Sequence, residues 1–224
     1  LIALRPAAIL FGSLLALAAS SAGAATSLDF DKVFNDRGEP AQMHFAASYR
    51  LGAGEHRVEV WRERELRVRR RTDDAIETLV ARPEGSLEWS MSVLDLKRRI
   101  RTEVERTNLF RIGHFTDWFA LAHSLAHPVG AYTLAALPRG QTPHAAPVAA
   151  CRWFALAEGT REGARTSKIC WSSKHRVALV ITDAADVVQW RVTAIDAGPL
   201  PDASFAVDDR GFVHNDANHD IQAD

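Results

Sequence analysis

His56–Thr72 reads HRVEVWRERELRVRRRT, and its side chains alternate in character rather than recurring at three and four. Val58 and Val60 fall on one side while Arg57, Glu59 and Trp61 fall on the other, and Leu66 and Val68 alternate with Arg67, Arg69 and Arg71. A period of two is the signature of a half-buried strand, because successive side chains leave opposite faces of the backbone. The pattern continues through Ile76, Thr78 and Val80, through Leu87, Trp89, Met91 and Val93, and through Ile100, Thr102 and Val104. Turn formers separate these segments at Gly52-Ala53-Gly54, Asp73-Asp74, Pro83-Glu84-Gly85 and Asp95-Leu96-Lys97. Loops this short join neighbouring antiparallel strands, since a parallel crossover needs a dozen residues or more. The reading from Met43 to Val104 is therefore an antiparallel meander. The expected fold class is mainly β with few helices: a curved antiparallel sheet, or incomplete β-barrel, with a helix lid on its concave side.

Residues 1–24 carry one basic residue, Arg5, then a small and apolar run from Ala7 to Ala19, then Ala22-Gly23-Ala24. That layout predicts a secretory signal peptide cut after Ala24, and hence a periplasmic location. The expected organisation is a signal peptide over 1–24, one domain over 25–213 and an acidic flexible tail over 214–224. The chain has 27 basic and 28 acidic side chains, or 26 against 28 once Arg5 leaves with the leader, a net charge of −2. Such a balance gives no reason to expect a nucleic-acid partner. The arginines are nonetheless crowded, with Arg57, Arg62, Arg64, Arg67, Arg69, Arg70 and Arg71 on two adjacent strands and Arg98, Arg99 and Arg101 on a third. They read either as a solvated convex face or as a docking surface, with Arg67, Arg69 and Arg101 facing an acidic envelope protein or lipid headgroups.

Two cysteines in an exported chain predict a disulfide, Cys151–Cys170. The residues between them read as a hairpin, Arg152 to Glu158 and Arg165 to Ile169, turning near Gly159 to Gly163. Centring the turn between Thr160 and Arg161 sets the cysteines directly opposite each other, within disulfide range. Elsewhere, a short helix is expected around Leu28 to Phe34. From Phe115 to Leu125 the apolar residues Phe115, Trp118, Phe119, Ala122 and Leu125 recur with helical spacing. Thr116 is the expected N-cap, with Asp117 complementing the helix N-terminus and Pro128 with Gly130 ending the run.

These pieces, with the Trp-to-Asp hairpin LEWSMSVLDLKR at 87–98 and the closing PLPDASFAVDDRGFV at 199–213, resemble the periplasmic lipoprotein carrier (LolA-like) superfamily over about Ala41 to Val213. The resemblance implies an incomplete barrel around a hydrophobic cavity, lidded by helices, that receives acyl chains. This chain differs in having one lid helix, an arginine-rich wall and a cysteine hairpin.

Candidate chemistry is sparse. His123 and His127 share a helix face at the spacing of metal ligands, and His114 with Asp117 could complete a site, but HSLAH lacks the glutamate of HExxH. The tail from Asp216 opens like a calcium loop, yet Ile221 stands where the sharp turn needs glycine. No nucleophile elbow or phosphate loop occurs, so neither catalysis nor a cofactor is expected. The apolar signal is stronger: Trp89, Met91, Phe115, Trp118, Phe119, Phe154 and Trp190 would line the concave side of a curled sheet. They read either as a cavity wall or as plain core between sheet and helix. The functional expectation is a monomeric periplasmic binding protein holding a hydrophobic small molecule, lipid or lipidated protein in that concavity. The alternative is an envelope interaction or sensor protein with a filled core and a basic docking face; a metal-dependent hydrolase comes third.

Overall fold

The computed structural model describes residues 27–111, 117–159 and 164–223. The expected signal peptide, His114, Phe115 and Thr116 lie outside the described residues. Strands β1 (Gln42–Leu51), β2 (Gly54–Glu63), β3 (Arg67–Thr72), β4 (Ile76–Ala81), β5 (Ser90–Asp95) and β6 (Ile100–Glu105) form the meander that the alternation predicts. The turns fall where the punctuation put them. Asp73 and Asp74 both hold φ of 51°, the left-handed geometry that matches the twist of a tight hairpin. One segment starts later than its alternation suggests: Leu87 is exposed and β5 opens only at Ser90, although Trp89 just before it is buried.

A second meander follows, with β7 (Tyr132–Ala136), β8 (Arg152–Glu158), β9 (Arg165–Ser172), β10 (Val177–Asp183) and β11 (Val188–Asp196). β11 returns to pair with β1, so both halves join one twelve-stranded sheet in the order β12-β6-β5-β4-β3-β2-β1-β11-β10-β9-β8-β7. Among the described residues the fold is mainly β, an open curved sheet with four short helices. The β1–β11 ladder slips between Ala46 and Ala47, a bulge of the kind that adds local twist and bending to a sheet.

Two expectations about the chain end are corrected. Residues 213–216 form an edge strand β12 that pairs parallel with β6, the exception to an otherwise antiparallel sheet. Ala217–Ala223 is a helix, α4, whose Asn218 Oδ1 accepts from the Glu105 amide and from Asn108 Nδ2. The acidic tail is thus fastened by side-chain amides and a strand ladder, which its charge content does not reveal. Ahead of it, 198–212 crosses the outer face as a strap containing a 3-10 turn at Asp202–Phe205.

The Cys151–Cys170 disulfide is present with a Cα–Cα distance of 5.5 Å. Its register differs from the expected one: the β8–β9 ladder sets Trp153 opposite Cys170, so Cys151 reaches its partner diagonally from just outside the strand. The bond tethers the loop before β8, and Leu137, Ala145 and Ala149 of that loop pack against the cluster that contains Trp153, Cys170 and Val180.

Among the described residues the buried apolar side chains form three clusters. Met43, Phe45, Val58, Val60, Val68 and Trp190 belong to the first. Phe34 of the N-terminal segment and Phe30 of helix α1 (Phe30–Val33) join Leu125, Leu134, Phe154, Ile169 and Trp171 in the second. Trp89, Val80 and Val104 meet Leu109 of helix α2 (Arg106–Arg111) and Leu121 of helix α3 (Trp118–His123) in the third. Helix α3 is the expected lid, but shorter. Asp117, not Thr116, is its N-cap, its Oδ1 accepting from the Ala120 amide at 2.5 Å, and Ser124 ends it in the left-handed region at φ 58°, before Pro128 is reached.

Candidate functional site

Strand parity places two arginines on the inner face. Arg62 follows Val58 and Val60 on β2, and Arg70 follows Val68 on β3, where it sits opposite Val60. Both correct the reading of the arginine-rich strands as a uniformly outward basic wall.

Arg62 is fully buried, and its guanidinium ties four segments together. It donates to the Ala122 carbonyl at 2.9 Å and to the His175 carbonyl at 3.1 Å, and lies 2.6 Å from His123 Nδ1 and 3.4 Å from Glu39 Oε2. A cation on the last carbonyls of α3 also complements the negative end of the helix. Arg62 therefore pins the lid helix to the sheet floor. Burial pushes the Glu39 carboxyl up to about 6 despite the attraction of Arg62. Burial and the Arg62 charge push the His123 imidazole down to about 3, so the ring is neutral, with its Nδ1 lying against both the Arg62 guanidinium and the Arg176 carbonyl.

Arg70 has a different environment. It helps line an open cleft of about 280 Å³ on the inner side, with Tyr49, Ala120, Ser124, Leu125, Ala126 and Trp190. The walls are mostly apolar because α3 stops at Ser124 and leaves the sheet uncovered beside Tyr49 and Trp190, which face each other across the β1–β11 ladder. Trp190 is fixed by an Nε1 hydrogen bond to the Ala178 carbonyl at 2.8 Å. Ser124 Oγ is buried without a hydrogen-bond partner. Desolvation lowers the Arg70 pKa, and the electrostatic partner that opposes this is the Tyr49 phenol. A larger cleft of about 530 Å³ opens beyond Glu39, but its charged lining of Asp36, Glu39, Arg64, Glu65, Arg82 and Glu84 suits no apolar ligand.

The six described residues of the expected cavity wall are not gathered at one opening. Trp190 lines the cleft. Trp89 and Met91 sit in the third cluster, Phe154 in the second, and Phe119 packs on the second while stacking on His123 at 4.4 Å. Trp118 bridges the first and third clusters, with the Arg82 guanidinium 4.8 Å above its ring. Most of this set is therefore core between sheet and helices. The cleft residues that sequence reasoning missed are Tyr49, Arg70, Ala120, Ser124, Leu125 and Ala126. For Arg70 a signal existed, a charge at an apolar parity position; for Ser124 and Ala126 the helix end decides, and apolar periodicity runs past it.

The three arginines expected to dock a partner meet the strap instead. Arg67 contacts Glu63, pairs with Asp202 at 2.8 Å and lies 4.3 Å over the Phe205 ring. Arg69 pairs with Glu77 at 2.7 Å and donates to the Ser204 carbonyl at 3.1 Å. Arg101 pairs with Asp209 at 2.5 Å and Glu103 at 2.6 Å. The hydrogen bonds that Arg67 and Arg101 donate to Asp202 and Asp209 hold their pKa values above the ordinary one. The chain's own acidic strap thus occupies these side chains.

The histidines expected as metal ligands point to different partners. His123 faces Arg62, whose charge disfavours a cation there. His127 is held between Asp117 Oδ2 at 2.9 Å and Asp31 Oδ1 at 3.0 Å. Among the described residues no group of three or more His, Cys, Asp or Glu side chains is placed to hold a metal. No family model matches this chain, and no curated protein matches it.

Proposed function

We propose that this is an exported, non-enzymatic binding protein that holds a hydrophobic, acyl-like ligand on the concave side of its sheet. The observation that carries the reading is the apolar cleft beside the end of α3, with Trp190, Tyr49 and Leu125 as wall. Its volume of about 280 Å³ falls just below the roughly 300–1,000 Å³ usual for small-molecule sites, and each methylene moved there from water is worth about 0.8 kcal/mol. The latch through Arg62 keeps the adjoining helix in place, so the wall is preformed. Arg67, Arg69 and Arg101 serve the strap in this reading, which weakens the alternative of a basic docking face. Titration with a fluorescent long-chain fatty acid tests the proposal. Saturable binding abolished by Ala126→Trp, which fills the cleft from an exposed position, is expected; absence of binding, or binding unchanged in the variant, overturns it.

A further inference from the structure

Five arginines of β2, β3 and β6 are engaged by the chain's own carboxylates. Arg62 has Glu39, Arg67 has Glu63 and Asp202, Arg69 has Glu77, Arg71 has Asp74, and Arg101 has Asp209 and Glu103. Of the two arginines on the inner face, Arg62 is paired and Arg70 is not: among the described residues Arg70 has neither a hydrogen bond nor an ion pair, yet it stands among apolar walls. A guanidinium stays charged in a protein, and a desolvated charge without a counterion is costly. Such a residue in an open apolar cleft is set up to be neutralised from outside.

Resting on the binding reading above, we propose that the ligand is a single-chain fatty carboxylate whose head is paired by Arg70 while its chain lies against Trp190, Tyr49 and Leu125. Three features select this chemistry. The fork of a guanidinium matches a carboxylate bidentately. Arg70 is the one charged side chain in the cleft lining, so a singly charged head is neutralised whereas a phosphate monoester is left with excess charge. A cleft of about 280 Å³ has room for one chain beside the helix and not for the paired chains of a phospholipid. Ser124, with its unpartnered Oγ, adds a hydroxyl to the same lining.

The test is calorimetric titration of the full chain with palmitate, palmityl alcohol and lysophosphatidylglycerol, in the wild type and in Arg70→Met and Arg70→Lys. Palmitate should bind the wild type about tenfold or more tightly than the alcohol, as a charge-assisted head contact implies. Arg70→Met should erase that preference, bringing palmitate down to the alcohol's affinity in the same variant, and Arg70→Lys should restore part of it. Equal binding of acid and alcohol, or no effect of Arg70→Met, would overturn the carboxylate assignment and leave the hydrophobic cleft standing. Tighter binding of the lysophospholipid would replace carboxylate by phosphate and overturn it equally. Failure of every chain to bind would sink the binding reading itself. Because Arg70 makes no hydrogen bond or ion pair among the described residues, both variants should keep the wild-type near-ultraviolet circular dichroism, which separates loss of recognition from loss of fold.

Discussion

Replacing Arg62 with Met leaves the volume of the floor nearly filled but removes the cation from a site where Glu39, His123 and two main-chain carbonyls converge. Removing one partner of a buried ion pair costs about 3–5 kcal/mol, because the other charge is left without compensation. Here the stranded group is Glu39, 8% exposed, whose carboxyl already stands near 6 with Arg62 beside it and should rise further without it. Two consequences separate this mechanism from a generic packing defect. Arg62→Met should be destabilised by about 3–5 kcal/mol in urea unfolding at pH 7.5, and much of that loss should return on acidification to pH 5, where Glu39 protonates. The double variant Arg62→Met/Glu39→Gln should recover a comparable part at pH 7.5, since replacing both members of a buried pair is far cheaper than stranding one. A single-variant cost under about 1 kcal/mol, or no recovery from Glu39→Gln, would refute the latch.

His123 and Glu39 pull the acid response in opposite directions. The depressed His123 pKa contributes stability that is present above about 6.5 and lost as pH falls toward 3, whereas the raised Glu39 pKa contributes stability present below about 4.5 and lost as pH rises through 6. Between pH 6.5 and 4.5 the two are worth about 2–3 and 1–2 kcal/mol, so the wild type should lose a little stability, Glu39→Gln more, and His123→Leu should gain, as read by thermal melts at constant ionic strength. Opening the Cys151–Cys170 bridge, which spans 19 positions, should cost about 3 kcal/mol in denaturant unfolding with and without reductant. Phe205→Ala, at 5% exposure beneath the Arg67 guanidinium, should cost about 3 kcal/mol and raise the hydrogen exchange of the 198–212 strap selectively. Uniform exchange across the domain would argue against the strap as a separate element.

Much of the fold is written in the alternation of the strands. The turns at Gly52–Gly54 and Asp73-Asp74 and the apolar faces of β2 to β6 follow from a period of two, because in a half-buried sheet local pattern and burial coincide. The disulfide partners are legible from the compartment argument, but their register is not, since a turn of unknown centre shifts the whole ladder. The lid helix could be located but not its end: Ser124 adopts a left-handed cap that no glycine announces. The strap and β12 escaped because their fastening is to Arg67, Arg69, Arg101 and Asn218 partners more than 100 positions away. The site was partly visible. Val58 and Val60 assign Arg62, and Val68 assigns Arg70, to the inner face, so a charge on the apolar parity was the mark to follow. Counting arginines by strand hides it.

The most direct test of a concave acyl site is native mass spectrometry of the chain purified without detergent or organic solvent from the cells that make it, with Ala126→Trp in parallel. The account predicts a wild-type species carrying one single-chain amphiphile, released on collisional activation, and a variant that flies as the bare chain. Bare chains in both, or the same adduct on both, would contradict it.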